Sequence, residues 1–203
     1  MDGFARRKEQ SKEDIRRAAW ELFTRFGVDK ASIADIARKA GVSQATIYNN
    51  FGSKEVLARE FVTASVEHLM SSVQEILTHK KSFNEKMAGF FQFISDMLTS
   101  GKPLGSENAI FTGSVDLLND PELKKIRTEA QKKMTALLLQ LTEEGKQQGQ
   151  VSPDLSEEAL HVYFAVFMDV FTNPELQWQF YKRPAIIQEV GALMLYGLKG
   201  PRK

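Results

Sequence analysis

The stretch from Ser32 to Lys54 constrains this chain more than any other, because its pattern predicts two short helices joined by a tight turn. Ser32 is suited to cap the first helix, since its hydroxyl can accept from a backbone amide that lacks an intrahelical partner. Gly41 is predicted to end that helix, because a left-handed backbone conformation costs glycine little. Helical spacing predicts the inner face of this helix, formed by Ile33, Ile36, Ala37 and Ala40.

The second helix of this stretch is predicted to begin after Ser43, another suitable cap. Ile47 and Phe51 lie four residues apart, so both should face inward together with Val42. The outer flank is then largely polar and consists of Gln44, Thr46, Tyr48, Asn49 and Asn50.

Such a flank suits the major groove of DNA, because Gln and Asn amides can pair bidentately with adenine and hydroxyl groups can reach phosphates. The short connection between the helices is typical of a DNA-binding helix-turn-helix. The alternative is a polar helix hairpin in some other all-helical domain. The glycine turn, the two caps and the polar flank occur together, which favours the DNA-binding interpretation.

A family resemblance is carried by the residues from Ile15 to Leu57, about a fifth of the chain. This stretch resembles the N-terminal domain of the TetR family of bacterial transcriptional repressors. Two positions depart from the family pattern: Ala45 stands where many members have glycine, and Asn50 where Tyr or His is common. The matching positions are Ile15, Ala18, Ala19, Leu22, Phe23, Gly27, Ser32, Ile33, Ile36, Ala37, Ala40, Gly41, Val42, Ser43, Thr46, Ile47, Tyr48, Phe51, Ser53, Lys54, Glu55 and Leu57.

Composition narrows the class of protein further. The chain has 203 residues, of which 42% are hydrophobic, so it can bury a substantial core. It has no cysteine, which excludes disulfides and thiolate metal sites. Residues 1–55 carry 11 basic and 8 acidic side chains, a net charge of +3, whereas the remainder carries −2. This asymmetry agrees with a DNA-binding N-terminus.

Location and chemistry are also limited by the sequence. The first ten residues lack the apolar core of a signal peptide, and no stretch approaches the roughly 18 apolar residues of a membrane span. We therefore expect a cytoplasmic protein with no membrane partner. Motifs of hydrolases, nucleotide-binding enzymes and metalloproteases are missing. We expect no enzyme activity, no cofactor and no metal site.

The N-terminal segment allows two interpretations. Residues 1–10 are polar and include Arg6, Arg7 and Lys8, so they are either a frayed tail, which we favour, or an arm that reaches DNA. Ser11 with Asp14 resembles a capping box that opens a helix ending at Gly27. Trp20 on this helix is predicted to be a partly exposed support.

The rest of the chain is predicted to be helical throughout. Ser53 should cap a long helix from Lys54 to about Lys80, with Lys54 placed to meet phosphate. Further helices are predicted over 83–99, 107–118, 121–148, from Ser156 to near Asn173-Pro174, and from Pro184 to about Lys199. The fold class is therefore all-α with about nine helices. We predict a three-helix DNA-binding domain over 1–55 and a ligand-binding and dimerisation domain over 56–203.

The second domain is rich in Phe and Met, which allows both a packed core and an apolar pocket. The resemblance implies an effector pocket between these helices, since family members typically bind an inducer there. The candidate ligand-binding residues are Phe90, Phe93, Met97, Phe111, Met134, Leu138, Tyr163, Phe167 and Trp178.

The last two long helices are apolar over wide arcs, more than one core face requires. We predict a homodimer through these helices, a four-helix bundle that the resemblance also implies. Gly191, Ala192 and Gly197 should allow close approach. The apolar positions behind this prediction are Phe164, Phe167, Val170, Phe171, Val190, Leu193, Met194 and Gly197.

The function expected from the sequence is a ligand-responsive transcriptional regulator, a repressor that binds palindromic double-stranded operator DNA as a homodimer and is released by a small apolar or aromatic effector. The alternative is a helical small-molecule-binding or interaction protein that has lost operator binding. The expected DNA-binding residues are Ser32, Gln44, Ala45, Thr46, Tyr48, Asn49, Asn50 and Lys54.

Overall fold

A computed structural model describes residues 3–99, 120–169, 179, 182–183 and 185–199. These residues form eight α-helices and no strand, which confirms the all-α prediction for this part of the chain. The helices are α1 (Gly3–Phe26), α2 (Ile33–Ala40), α3 (Gln44–Phe51), α4 (Lys54–Thr78), α5 (Phe83–Thr99), α6 (Pro121–Gln147), α7 (Glu157–Asp169) and α8 (Ile186–Lys199).

The chain divides into two compact units. The first contains the described residues within Met1–Ser65 and Lys102–Lys125, and the second those within Val66–Gly101 and Ile126–Lys203. Both α4 and α6 therefore contribute residues to each unit as unbroken helices. The boundary expected after residue 55 remains a prediction.

The first unit is built around side chains of α1 to α4 that exclude solvent. Ile15, Phe23, Ile36 and Ile47 are fully buried, and the rings of Phe23 and Phe61 lie 5.5 Å apart. This packing holds α2 and α3 against α1. Trp20 is partly exposed, at 36%, and its ring lies 6.3 Å from that of Phe61, which agrees with a supporting role.

Helix α1 is longer than the sequence analysis predicted. It starts at Gly3, so Ser11 lies inside the helix and does not cap it, and the favoured interpretation of residues 3–10 as a frayed tail is wrong. No glycine or proline interrupts the chain between Phe4 and Phe26. The Gln10 amide donates to the Asp14 carboxylate at 3.3 Å, a contact that helical spacing favours.

The second unit has its own aromatic core. Phe83, Phe90, Leu138, Leu141 and Phe164 are buried with at most 1% exposure. Two glycines allow other helices to approach aromatic rings of this core closely. A Cβ atom at Gly145 would lie 2.7 Å from the Phe83 ring, and one at Gly191 would lie 2.7 Å from the ring of Phe91, which is also buried. Gly191 therefore serves packing inside one subunit, so its assignment to the dimer contact was wrong.

Most predicted helix ends are reproduced. Asp120 caps α6 by accepting from the Leu123 amide at 3.0 Å, and Ser156 caps α7 by accepting from the Ala159 amide at 3.1 Å. The helix predicted over 107–118 and the helix end near Asn173-Pro174 lie outside the described residues. Among the helices that are described, none combines the length and apolar character that crossing a membrane requires. The described part of the chain also has no acidic or histidine cluster able to hold a metal ion.

Candidate nucleic-acid interface

The turn between α2 and α3 has the geometry that the glycine and serine positions predict. Gly41 adopts a left-handed conformation with φ of 68°, and the Val42 amide donates to the Ala37 carbonyl at 3.0 Å. The Ser43 hydroxyl accepts from the Thr46 amide at 3.1 Å and thereby starts α3. Two local devices, a left-handed glycine and a serine cap, therefore fix where α3 begins and in which direction it leaves the turn.

Helix α3 has one buried side and one side open to solvent. Ile47 is fully buried and Phe51 is 8% exposed, as the four-residue spacing predicted. On the opposite side, Gln44, Ala45 and Asn49 are exposed, and Tyr48 is exposed at 49%. The side chains expected to read DNA are therefore free of contacts that would cover them.

Two predicted contact residues make hydrogen bonds within α3. The Thr46 hydroxyl lies 2.9 Å from the Ser43 hydroxyl, and the half-buried Asn50 side chain donates from Nδ2 to the Thr46 carbonyl at 2.9 Å. One of the two N–H donors of the Asn50 amide is thus bonded to the helix backbone. Its direct contact with DNA stays a prediction.

The predicted phosphate contacts lie at helix starts on either side of α3. The Ser32 hydroxyl donates to the Asp35 carboxylate at 2.5 Å and accepts from the Asp35 amide at 3.1 Å. That hydroxyl, together with Arg38, lowers the pKa of the Asp35 carboxyl. Lys54 donates from Nζ to the Asp29 carbonyl at 3.3 Å, which holds its ammonium group beside the turn before α2.

Arg16 is a residue of this unit that the sequence analysis did not single out. Its Nε donates to Glu60 Oε2 at 2.9 Å, and its guanidinium carbon lies 5.3 Å from the centre of the Phe51 ring. The hydrogen bond that Arg16 donates to Glu60 raises the pKa of Arg16 above its ordinary value. Helical spacing alone cannot indicate this cluster, because Arg16 and Glu60 are 44 residues apart in the sequence.

Comparisons with known proteins agree with this geometry. Residues 15–61, which run from α1 into α4, match the family described as bacterial regulatory proteins, tetR family. The HTH-type transcriptional repressor KstR2 of Mycolicibacterium smegmatis is 26% identical over 153 residues, covering 74% of this chain and 72% of the repressor. Residues 15–61 therefore form a TetR-type helix-turn-helix domain. The chain is therefore a transcriptional regulator, and its helix-turn-helix from Ser32 to Lys54 is called the reading head below.

Two solved structures of transcriptional regulators extend the likeness over more than nine tenths of the chain. The fatty acid degradation regulator FadR of Bacillus halodurans is 25% identical and has a TM-score of 0.63, covering 93% of this chain and 96% of that protein. FadR of Bacillus subtilis, solved in complex with stearoyl-CoA, is 20% identical and has a TM-score of 0.62, covering 95% and 100%. At 20% identity, the likeness to FadR of Bacillus subtilis shows only that the fold is shared.

The candidate effector residues fall into three groups. Phe90, Met134, Leu138 and Phe167 are buried, at 7% exposure or less. Phe93 and Met97 are half-buried, and Tyr163 is 39% exposed with the pKa of its phenol raised by partial burial. Phe111 and Trp178 lie outside the described residues. The aromatic side chains are linked through Phe91, whose ring lies 5.4 Å from Phe90 and 6.2 Å from Phe167.

The apolar surface of α7 and α8 differs from the one predicted. Phe164, Phe167 and Met194 are buried in their own subunit, with 0%, 7% and 1% exposure, so they cannot form a dimer face. Val170 and Phe171 lie outside the described residues. The large apolar side chains that do reach solvent on these two helices are Val162, Tyr163, Val166, Leu193 and Tyr196. Residues three to four positions apart lie on one face of a helix, so the spacing of these side chains is compatible with a shared face. The buried apolar side chains have the same spacing, so the sequence did not show which of the two faces is exposed.

Proposed function

We propose that this TetR-family regulator is a cytoplasmic repressor that binds palindromic operator DNA as a homodimer and releases it when a small apolar effector binds the second unit. The observation that carries the proposal is the exposed flank of α3, with Tyr48 half exposed and Gln44, Ala45 and Asn49 open to solvent. A short helix with this flank, fixed by a glycine turn and a serine cap, is suited to lie in a major groove.

The roles of the reading head divide by chemistry. Gln44 and Asn49 offer amides that match adenine edges, and Ala45 offers a methyl group that can contact thymine. The hydroxyl groups of Ser32, Thr46 and Tyr48 and the ammonium group of Lys54 are suited to phosphate oxygens. Asn50 stands beside them, and its side-chain oxygen and second N–H are the groups left for DNA once one N–H has bonded to Thr46.

The dimer follows from the exposed apolar side chains of α7 and α8. Val162, Val166, Leu193 and Tyr196 are each 64–71% exposed. Several large apolar side chains left open to solvent on the same two helices favour a protein interface over a free surface. A two-fold dimer would present two α3 helices to half-sites about 34–36 Å apart, or a multiple of that distance.

The effector class follows from the second unit and its relatives. Its candidate residues are aromatic and aliphatic, which suits a ligand with a large apolar part. One structural neighbour was solved in complex with stearoyl-CoA and another is a fatty acid degradation regulator. We therefore propose a long acyl chain as the first effector to test. Release needs a ligand that prefers the non-binding state, by about 5.5 kcal/mol for a swing from 99:1 to 1:99.

The experiment is selection of random duplex DNA by the purified protein. Enrichment of a palindrome supports the repressor, and sequences enriched without two-fold symmetry contradict the homodimer. If nothing is enriched, the alternative of a helical binding protein without an operator is supported. That alternative is not favoured now, because the reading head keeps its turn, caps and exposed flank.

Variants then test the assigned contacts on the selected operator. Tyr48→Ala should weaken binding at least several-fold, and unchanged affinity would mean that α3 docks differently. Lys54→Ala should reduce the slope of log affinity against log salt by about one unit, because one phosphate contact is lost. Lys132→Ala is the matched control, since Lys132 is exposed on α6 outside the reading head. Addition of stearoyl-CoA should release the parent from the operator; retention at saturating concentration would exclude that acyl class.

A further inference from the structure

The recognition helix of this protein is short and is held by few of its own side chains. Helix α3 has eight residues, of which Ile47 and Phe51 are buried. Phe51 is the last residue of the helix and lies just before Gly52, whose positive φ of 80° turns the chain towards α4. Whatever holds the Phe51 ring therefore sets the direction of the C-terminal end of α3.

Arg16 covers this ring from outside. Its guanidinium carbon lies 5.3 Å from the ring centre, within the range in which a cation is attracted by an aromatic face. The side chain is itself fixed, because Nε donates to Glu60 Oε2 at 2.9 Å and Nη1 lies 3.8 Å from Glu9 Oε1. A planar guanidinium can donate within its plane and stack over a ring at the same time, which an ammonium group cannot do.

We propose that Arg16 is a positioning residue for DNA recognition, which clamps the end of α3 through Phe51 and joins it to α4 through Glu60. The proposal rests on the proposed function for its DNA readout. Arg16 connects α1, α3 and α4, the last of which is shared by both units of the chain. A displacement of α4 near Glu60 would then move Arg16 and, through Phe51, shift the end of the recognition helix. No residue that contacts DNA needs to change for this to happen.

The chain offers a matched pair of substitutions. Arg16→Lys keeps the charge and can keep the pairing with Glu60, but it loses the guanidinium that lies over Phe51. Arg17→Lys is the control, because Arg17 is the next residue of α1, is exposed, and pairs with Asp14 on its own helix rather than with α3 or α4. Glu60→Gln provides an independent weakening of the same clamp from the α4 side.

The first measurement compares affinity for the selected operator with affinity for a scrambled duplex of equal length. We expect Arg16→Lys to reduce the ratio of the two affinities by about two- to fivefold, while binding to scrambled DNA and the salt slope stay as in the parent. A merely structural role would lower the active fraction and both affinities together. Arg16→Ala, which removes the charge, tests the remaining possibility: a salt slope reduced by about one unit in that variant would assign Arg16 to a phosphate instead and overturn the proposal.

The second measurement needs no DNA, so it separates this proposal from the proposed function. Hydrogen exchange of the full chain should be faster in the peptide spanning Gln44–Phe51 for Arg16→Lys and Glu60→Gln, and unchanged for Arg17→Lys. The peptide spanning Ile33–Ala40 should exchange as in the parent in all three variants. Equal exchange of α3 in Arg16→Lys and Arg17→Lys would overturn the clamp, even if an operator has been found. If no operator is enriched but α3 loosens as expected, the clamp stands and the repressor function fails.

Discussion

Single residues fix the geometry of the recognition helix at both ends, since Gly41 before α3 and Gly52 after it have φ angles of 68° and 80°. A Cβ atom built at Gly41 would meet no other atom within 4 Å. The need for glycine there is consequently a matter of backbone strain and not of space.

This argument predicts the cost of substituting Gly41. Gly41→Ala should lower the free energy of unfolding by about 1–2 kcal/mol, because L-residues other than Asn and Asp are strained in the left-handed region. Gly41→Asn should cost clearly less. Chemical denaturation of the three proteins provides the comparison, and equal stability of the alanine variant and the parent would contradict the strain argument.

A second residue-scale prediction concerns Asp120, which caps α6 and accepts from Arg59 at 2.9 Å. The Leu123 amide, followed by Arg59, holds the pKa of the Asp120 carboxyl below its usual range. A carboxyl with a lowered pKa in the folded state stabilises above its unfolded pKa, about 3.9, and loses this contribution as pH falls through the folded pKa.

Asp120→Asn keeps a good cap and removes the charge, so it should be less stable than the parent at pH 7 by about 0.5–1 kcal/mol. The difference should shrink below about pH 4, as the parent carboxyl becomes protonated. Unfolding monitored at several pH values tests this, with Asp154→Asn as an exposed control. If the difference in unfolding free energy between the two proteins is the same at pH 3 and pH 7, the charge of Asp120 does not contribute to stability.

The caps and the glycine turn were predictable because they depend on neighbours within three or four residues. Ser32, Gly41, Ser43 and Asp120 were all identified from the sequence, and the structure confirms them. The partners of Arg16 and the bond from Asn50 to Thr46 were not identified. Arg16 depends on a residue 44 positions away, and the Asn50 bond depends on a rotamer that spacing does not specify.

At the scale of whole helices, the close approach of α8 to α5 depends on one missing side chain. A Cβ atom at Gly191 would lie 2.7–2.9 Å from three atoms of the Phe91 ring, which is part of the aromatic core. A Cβ atom at Gly89 on α5 would lie 3.3 Å from a methyl carbon of Ile76, a much milder approach.

We therefore predict a graded effect of two identical substitutions. Gly191→Ala should destabilise by about 1–3 kcal/mol, because overpacking displaces a buried ring. Gly89→Ala should be close to neutral, since the gain in helix propensity of about 1 kcal/mol offsets the tighter contact. Thermal unfolding of both variants measures the two effects. A Gly191→Ala protein as stable as the Gly89→Ala protein would contradict the close packing of α8 on Phe91.

Helix positions were predictable from the sequence, but the faces of helices were less so. The bounds of α5 were predicted as observed, because Ser82 and the breakers after Thr99 are local features. The start of α1 was missed, because Ser11 and Asp14 fit a capping pattern inside a helix that nothing interrupts. On α7 the predicted interface residues Phe164 and Phe167 are buried, since a helix apolar on two sides does not indicate which side faces its own core.

At the scale of the whole molecule, the exposed side chains of α7 and α8 predict the oligomeric state. Leu193→Glu should convert the proposed homodimer into a monomer, because two carboxylates would be buried across a two-fold interface without partners. Leu193 is 71% exposed in the single subunit, so the variant should still fold.

Sedimentation of the parent, Leu193→Glu and Ala88→Glu provides the measurement. Ala88 is an exposed alanine on α5, a helix that carries none of the exposed large apolar side chains named above, and its substitution should leave the dimer intact. A parent that sediments as a monomer, or a Leu193→Glu variant that remains dimeric, would contradict the proposed interface.

The continuity of α4 and α6 through both units also bears on how such regulators can be recombined. A gene fusion that joins the reading head of one relative to the effector unit of another has to be spliced inside two helices, not in a loop. Each inserted or deleted residue turns the following side chains of a helix by about 100°. Functional chimeras should therefore be confined to junctions that add or remove no residues within α4 and α6, so that the side chains of both helices keep their directions.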